Sequence, residues 1–160
     1  MQQYEIHNSG PKSALLLKKI RLHHPLFARL TLNGYKFIVE NSFIFKLKPG
    51  QKVYRQGQLA SNNLYFILYG TFVKKTETSE SCGTLAIGDT ICQEVLFKER
   101  PIRWENTVEA RTDACLLQLT LPTFDLMREQ KHVGAGGNSL LQDYQLLHSI
   151  FEDAWTQIQN

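Results

Sequence analysis

The hydrophobic positions of this chain change period twice, from helical to alternating and back to helical. Leu15, Leu16, Leu17 and Ile20 share one helical face, and Pro25 ends the helix they predict. Leu26, Phe27 and Leu30 form a compact apolar turn, and a second helix is expected over about 31–41, weakened by Gly34. Residues 1–12 read as a flexible N-terminal arm, with Asn8-Ser9-Gly10-Pro11 near its end.

The middle of the chain predicts strands. Phe43, Phe45 and Leu47 alternate, and Lys48-Pro49-Gly50-Gln51 turns the chain toward Val53-Tyr54. Leu64 to Tyr69 is an unbroken apolar run between Asn62-Asn63 and Gly70, so a strand buried on both faces is expected. Residues 71–75 are expected to be its hairpin partner, with a polar loop over 76–81 and a strand over 84–87 stopped by Gly88-Asp89. Residues 107–110 and 115–120 supply two more strands around Arg111-Thr112-Asp113. Strands recurring about every ten residues, with turn residues between, suggest a jelly roll or β-barrel.

Helical spacing returns after Pro122, which suits a first helical turn, and Phe124 and Met127 face one way. Gly134-Ala135-Gly136-Gly137 reads as a flexible break, and Ser139 with Gln142 three residues later has the form of a capping box. Residues 138–160 then form an amphipathic helix, with Leu140, Tyr144, Leu147, Phe151, Trp155 and Ile158 in one apolar stripe.

Composition narrows the classes. At 160 residues, 42% apolar and 21% charged, the chain has ordinary globular make-up and length for one domain. No apolar run approaches the length of a membrane span or resembles a secretory signal. Cys82, Cys92 and Cys115 share no close spacing and read as free thiols of a reducing, intracellular compartment. The net charge of +3 is uneven: residues 1–39 hold six basic residues against one acidic, and the remainder twelve against fourteen. Such a start suits a contact surface for an acidic partner, a solvated helix face, or a mitochondrial presequence. The opening Met1 is read against a removed leader.

In order and spacing, several segments together resemble the cyclic-nucleotide-binding domain family. Leu47-Lys48-Pro49-Gly50-Gln51-Lys52-Val53-Tyr54-Arg55-Gln56-Gly57 is similar to the family's opening turn and strand. Leu64 to Phe72, with its glycine turn, is similar to its most recognisable strand. Leu85-Ala86-Ile87-Gly88-Asp89 matches the approach to the nucleotide cassette, and 107–110 with 112–117 match the strands leaving it. The resemblance covers residues 13–131 and implies a mainly β, double-stranded β-helix (jelly-roll) barrel with flanking helices.

The resemblance also implies a ligand chemistry, and there this chain departs from the pattern. Binders follow Gly88-Asp89 with an aromatic-Gly-Glu triplet. The glycine lets backbone N–H groups reach the cyclic phosphate at a helix start, and the glutamate accepts from the ribose 2′-hydroxyl. An arginine before the next strand grips the phosphate with a fork that lysine cannot imitate. Here Ile91 takes the aromatic place, Cys92 the glycine place and Gln93 the glutamate place, while Trp104 falls on the arginine place with Arg103 one residue away. Binding of cAMP or cGMP would need two repairs: a bulge bringing Arg103 inward and an insertion making Glu94 the ribose acceptor. The residues carrying a ligand would then be Gly88, Glu94, Arg103, Thr107 and Trp155.

Other features have bland readings beside sharp ones. Trp104 reads as a stacking face for a purine, as a plug for an empty pocket, or as core or partner contact, the last being the commoner use of such a residue. Cys92 reads as a redox thiol or as an inert buried one. His23-His24 lacks a third metal ligand and reads as a surface pair ending a helix. Glu94, Glu99 and Glu105 form no spaced acid–base pair, and no nucleophile triad or phosphate-cradling loop is present, so no enzyme is expected. The leading expectation is therefore a degenerate, non-catalytic member without cofactor, acting as a structural subunit of a larger protein assembly. A cytoplasmic or ciliary address suits that role. Its interface would be Lys18, Lys19 and Arg21 with the stripe Leu140, Tyr144, Leu147, Phe151, Trp155 and Ile158. The alternative is a cAMP- or cGMP-responsive regulatory module signalling through its last helix. DNA reading ranks last, because residues 138–160 hold one helix and no second.

Overall fold

A computed structural model describes residues 2–5, 18–78, 81–129 and 137–159. Leu15 to Leu17 and the Gly134-Ala135-Gly136 break lie outside the described residues. In chain order the elements are β1 (Gln2–Glu5), a helix over 18–23 (α1), a 3-10 turn at Phe27–Arg29 and α2 (Leu32–Glu40). There follow β2 (Phe43–Leu47), β3 (Lys52–Tyr54), β4 (Asn63–Tyr69), β5 (Phe72–Lys75), β6 (Ser81–Leu85) and β7 (Thr90–Ile91). A second 3-10 turn at Gln93–Leu96 precedes β8 (Thr107–Ala110), β9 (Ala114–Thr120), α3 (Leu121–Glu129) and α4 (Gly137–Gln159).

The strands form two antiparallel sheets, ordered β1-β2-β9-β4-β7 and β3-β8-β5-β6, in jelly-roll fashion. β4 lies inside the larger sheet, between β9 and β7, and its residues Leu64 to Leu68 are all buried. A helical layer covers one of its faces, where the Phe66 ring meets Phe27 at 5.1 Å and Phe151 at 5.5 Å. Burial on both sheet faces is why this segment carries an unbroken apolar run rather than an alternating one.

Three local expectations are corrected. β5 does not pair back on β4 but crosses to the other sheet, between β6 and β8. Gly70 makes that corner, with φ of +88° and its backbone so close that a Cβ would lie 2.6 Å from Ala114 Cα. β6 begins and ends earlier than the alternating pattern suggests. α4 starts at Gly137, so Ser139 lies inside the helix rather than at its cap, and its hydroxyl accepts from Asn33 Nδ2 at 3.3 Å.

α4 is held to the rest of the fold by two different devices. Its apolar face sinks Leu147 and Phe151 completely, and Phe124 of α3 meets Tyr144 at 4.5 Å and Phe151 edge-on at 5.5 Å. Its polar device is Asp143, 2% exposed. Thr31, the N-cap of α2, donates its hydroxyl to Asp143 Oδ2 at 2.6 Å and its backbone N–H to both carboxylate oxygens at 3.2 Å. The same hydroxyl accepts from Gly34 N at 3.1 Å, so one cap serves the start of α2 and the docking of α4.

His24 is corrected from a surface residue to a core one: it is 2% exposed. Its Nδ1 accepts from Leu26 N at 3.1 Å, so Nε2 carries the proton and donates to the Ile67 carbonyl at 2.8 Å. Burial lowers its pKa below 6.5, against a smaller raising effect of the Ile67 carbonyl. The unfolded chain then takes up a proton near pH 6.5 that the folded chain refuses. Stability is expected to fall as pH drops through 6.5, with a slope of at most about 1.4 kcal/mol per pH unit. Denaturant titrations at several pH values check this, with His24→Gln as reference: the wild-type slope should exceed that of the variant. A slope unchanged by the substitution would remove His24 from the account. Glu94, whose pKa is raised by burial, works oppositely, since the folded chain gains a proton as pH falls toward 4.5.

Candidate functional site

The segment from Gly88 to Val108 is where the family's ligand chemistry would sit. Cys92 has φ of +74° and caps the 3-10 turn at Gln93–Leu96 in left-handed conformation. Among the described residues no other non-glycine has positive φ, which makes this a costly choice of about 1–2 kcal/mol. This is the conformation glycine adopts most readily, taken here by a residue with a side chain. That side chain is buried, and burial raises the thiol pKa well above its ordinary value, first by desolvation and then by Glu94. A thiol so placed is inert, which leaves the redox reading without support.

The neighbouring acceptors are differently occupied. Gln93 is 4% exposed, and its Oε1 accepts from the Thr90 hydroxyl at 3.3 Å, so the amide serves the local fold. Glu94 is largely buried, and its Oε2 has no hydrogen-bond partner. Desolvation raises its pKa; a backbone hydrogen bond and the charges of Lys74 and Lys98 draw it partly back. Ile91, in β7, is buried opposite Tyr65 of β4.

Arg103 and Trp104 lie near the end of this segment. The Arg103 backbone pairs with Leu59, and its guanidinium donates to the Gly57 carbonyl at 2.8 Å. Trp104 is 7% exposed and stacks on Tyr54, with ring centroids 4.2 Å apart and planes 20° apart. The Tyr54 hydroxyl donates to Asn106 Oδ1 at 2.9 Å, fixing that ring in turn. The register is pinned by Trp104 N donating to Gln58 O and Gly57 N donating to Trp104 O. In this register Arg103 lines a pocket together with Glu94 and Trp104 while its guanidinium is bonded to Gly57 O. Thr107 Oγ1 accepts from Gln56 N at 2.9 Å.

Two pockets flank this segment. One, of about 220 Å³, brings Glu94, Arg103, Trp104 and Trp155 together with Tyr54 and Lys98. The other, of about 310 Å³, has Gly88 and Gln93 in its wall, beside Thr84 and Ile150. Lys74 and Ile158 line both. Thr107, Ile91 and Cys92 line neither. Sequence reasoning missed Lys74 and Tyr54. Strand parity could have found Lys74, since it lies two residues from the fully buried Phe72 and so shares its face.

The proposed docking residues divide. Lys18 and Lys19 are exposed. Arg21 is not free for a partner: its guanidinium donates to the carbonyls of Phe27, Ala28 and Leu30 and closes the first 3-10 turn. Leu147 and Phe151 are spent on this chain's own core, and Tyr144 is stacked on Phe124. Leu140 is half-buried. Trp155 stacks on Phe97 at 6.2 Å with Lys98 6.0 Å from its ring centre, and Ile158 is 44% exposed. No group of three or more potential metal ligands occurs among the described residues, and no helix there is long and apolar enough to cross a membrane.

Solved structures resemble this arrangement. The chain superposes on the C-linker/CNBHD of zELK channels, crystallised in the presence of cAMP, with a TM-score of 0.58 and 20% identity, covering 91% of this chain and 74% of that one. The sensor domain of the transcriptional regulator DNR from Pseudomonas aeruginosa matches with a TM-score of 0.57 and 19% identity over 83% of this chain and 90% of that one. cAMP-bound PfPKA-R (141-441) matches with 0.54 and 19% over 79% and 47%. No protein-family model and no curated protein sequence matches the chain. The fold is that of a cyclic-nucleotide-binding domain: two antiparallel jelly-roll sheets with flanking helices.

Proposed function

We propose that this chain is a non-catalytic cyclic-nucleotide-binding-like domain that acts as an interaction subunit of a larger protein assembly and does not bind a cyclic nucleotide. The observation that carries this reading is the Tyr54–Trp104 stack. By the resemblance, this aromatic pair falls at the position where binders carry the phosphate's guanidinium, while the nearby Arg103 guanidinium is bonded to Gly57 O. A cyclic phosphate entering such a site would be desolvated without its forked partner, at a cost of several kcal/mol. The Cys92 side chain stands where the phosphate would meet bare backbone. For docking, the exposed Lys18 and Lys19 and the outer end of α4 around Ile158 remain available.

One observation favours a regulatory reading instead: Cys92, at the glycine place implied by the resemblance, has the left-handed conformation that glycine adopts most readily. Thermal unfolding with cAMP and with cGMP separates the two. Neither nucleotide is expected to move the midpoint. Ligand at one hundred times its Kd would add about 2.7 kcal/mol, which at this chain length is a rise of several degrees. Such a rise would replace the assembly reading with the regulatory one.

A further inference from the structure

We infer that the 220 Å³ pocket beside the second 3-10 turn takes a small dipolar aromatic molecule of the amino-acid type, with its ammonium on Glu94 and its carboxylate on Lys74. The inference rests on the preceding reading, because a pocket holding a cyclic nucleotide would have no room for it.

The charges around the pocket select the ligand by elimination. Five charged side chains line it: Lys74, Glu94, Lys98, Arg103 and Glu105. Three of them are engaged already. Lys98 and Glu105 pair at 3.7 Å, and Arg103 donates to Gly57 O. Glu94 keeps a buried oxygen without a donor, and Lys74, whose charge is near enough to act on Glu94, is held by no hydrogen bond or salt bridge to a described residue. A buried acceptor left unmet costs about 1–3 kcal/mol, so a ligand that brings a donor recovers that amount. A purely anionic ligand would confront Glu94. A purely cationic one would confront Lys74, with Lys98 and Arg103 nearby. A dipolar molecule offers Glu94 a donor and Lys74 an acceptor and opposes neither.

Size and walls complete the choice. Trp104, Trp155 and Ile102 supply flat and apolar surface, and Tyr54 backs Trp104. Ligand pockets for drug-sized molecules begin near 300 Å³, so this one suits something smaller, about the bulk of a single aromatic amino acid. An aromatic ring against indole faces with an ammonium on a carboxylate is a favourable pairing of both ends.

Calorimetric titration of the full chain with L-phenylalanine, phenethylamine and hydrocinnamate tests this. L-phenylalanine is expected to give saturable single-site heat, and each singly charged analogue to bind at least about tenfold more weakly. Glu94→Gln should weaken L-phenylalanine about tenfold without lowering the unfolding midpoint, since it removes an unmet buried carboxyl. Lys74→Met, at a half-buried side chain, should weaken it similarly and spare phenethylamine. Absence of saturable heat with L-phenylalanine up to about 10 mM would overturn the inference. So would equal affinity for all three compounds, or variants that bind L-phenylalanine as the wild type does. cAMP titrated separately decides the preceding reading without touching this comparison.

Discussion

Replacing Gly34 by alanine is expected to destabilise this protein by about 3 kcal/mol, although the same change in an ordinary helix stabilises by about 0.5–1 kcal/mol. The reversal of sign comes from Asp143. A Cβ built on Gly34 would overlap the Asp143 carboxylate, 2.6 Å from its Cγ. The added methyl must therefore move either α2 or α4. Moving either breaks the bonds from Thr31 Oγ1 and Thr31 N to a carboxylate that is 2% exposed. Overpacking of this kind costs about 1–3 kcal/mol, and stranding a buried hydrogen-bonding group about as much again. Urea denaturation reads the effect directly. The decisive control is the same substitution made with Asp143→Ala, where the carboxylate is gone and only the Cβ of residue 143, at 3.0 Å, remains, so the cost of Gly34→Ala should fall sharply. A stabilising Gly34→Ala in the wild-type background would show that α4 does not sit where the structure puts it.

That contact also marks where sequence reasoning stopped. Gly34 could be read only as a weak point in a helix, because its reason for being glycine lies 109 residues away in Asp143. Asp143 itself is no part of the apolar stripe of α4, so the pattern gave no reason to single it out. Period finds the faces of elements; it does not find a polar pair that joins two of them. The strands were legible because burial sets their pattern: the continuous run in β4 survives in the fold, whereas β2 alternates only from Phe45 onward, because Ile44 is buried as well. The pairing of β5 was not legible. Adjacent strands joined by a glycine turn look the same whether the chain folds back or crosses to another sheet. At the site, the resemblance singled out Trp104, whereas what its ring rests on had to come from the structure. Arg21 was misjudged for a related reason. Its charge suggested solvent, but three backbone carbonyls lie within reach of its guanidinium.

Phe151→Ala is expected to cost about 3–5 kcal/mol, the larger of the two effects, because the ring is completely buried and three elements share it. It meets Phe66 of β4 and Phe124 of α3, both at 5.5 Å, and both are themselves fully buried. Neither neighbour can collapse into the space without leaving its own contacts, so most of the cavity should persist. At this chain length the loss corresponds to a fall in unfolding midpoint of about 6–20 °C. Ile158→Ala, at the exposed end of the same helix, should stay within about 0.5 kcal/mol. The contrast measures how α4 is attached. Were the helix a loosely docked lid, removing Phe151 would raise hydrogen exchange in α4 alone and leave the denaturant midpoint unchanged. The expected fall in midpoint instead ties α4 to the cooperative fold, and that bears on function. A ligand can shift a helix only by the difference in its affinity for the two positions. To lift α4, it would have to offset both the Phe151 burial and the Asp143 bonds. Helix movement as a signal is thus disfavoured by the same contacts that stabilise the domain, and a fixed α4 offering its outer end to a partner is the role consistent with them.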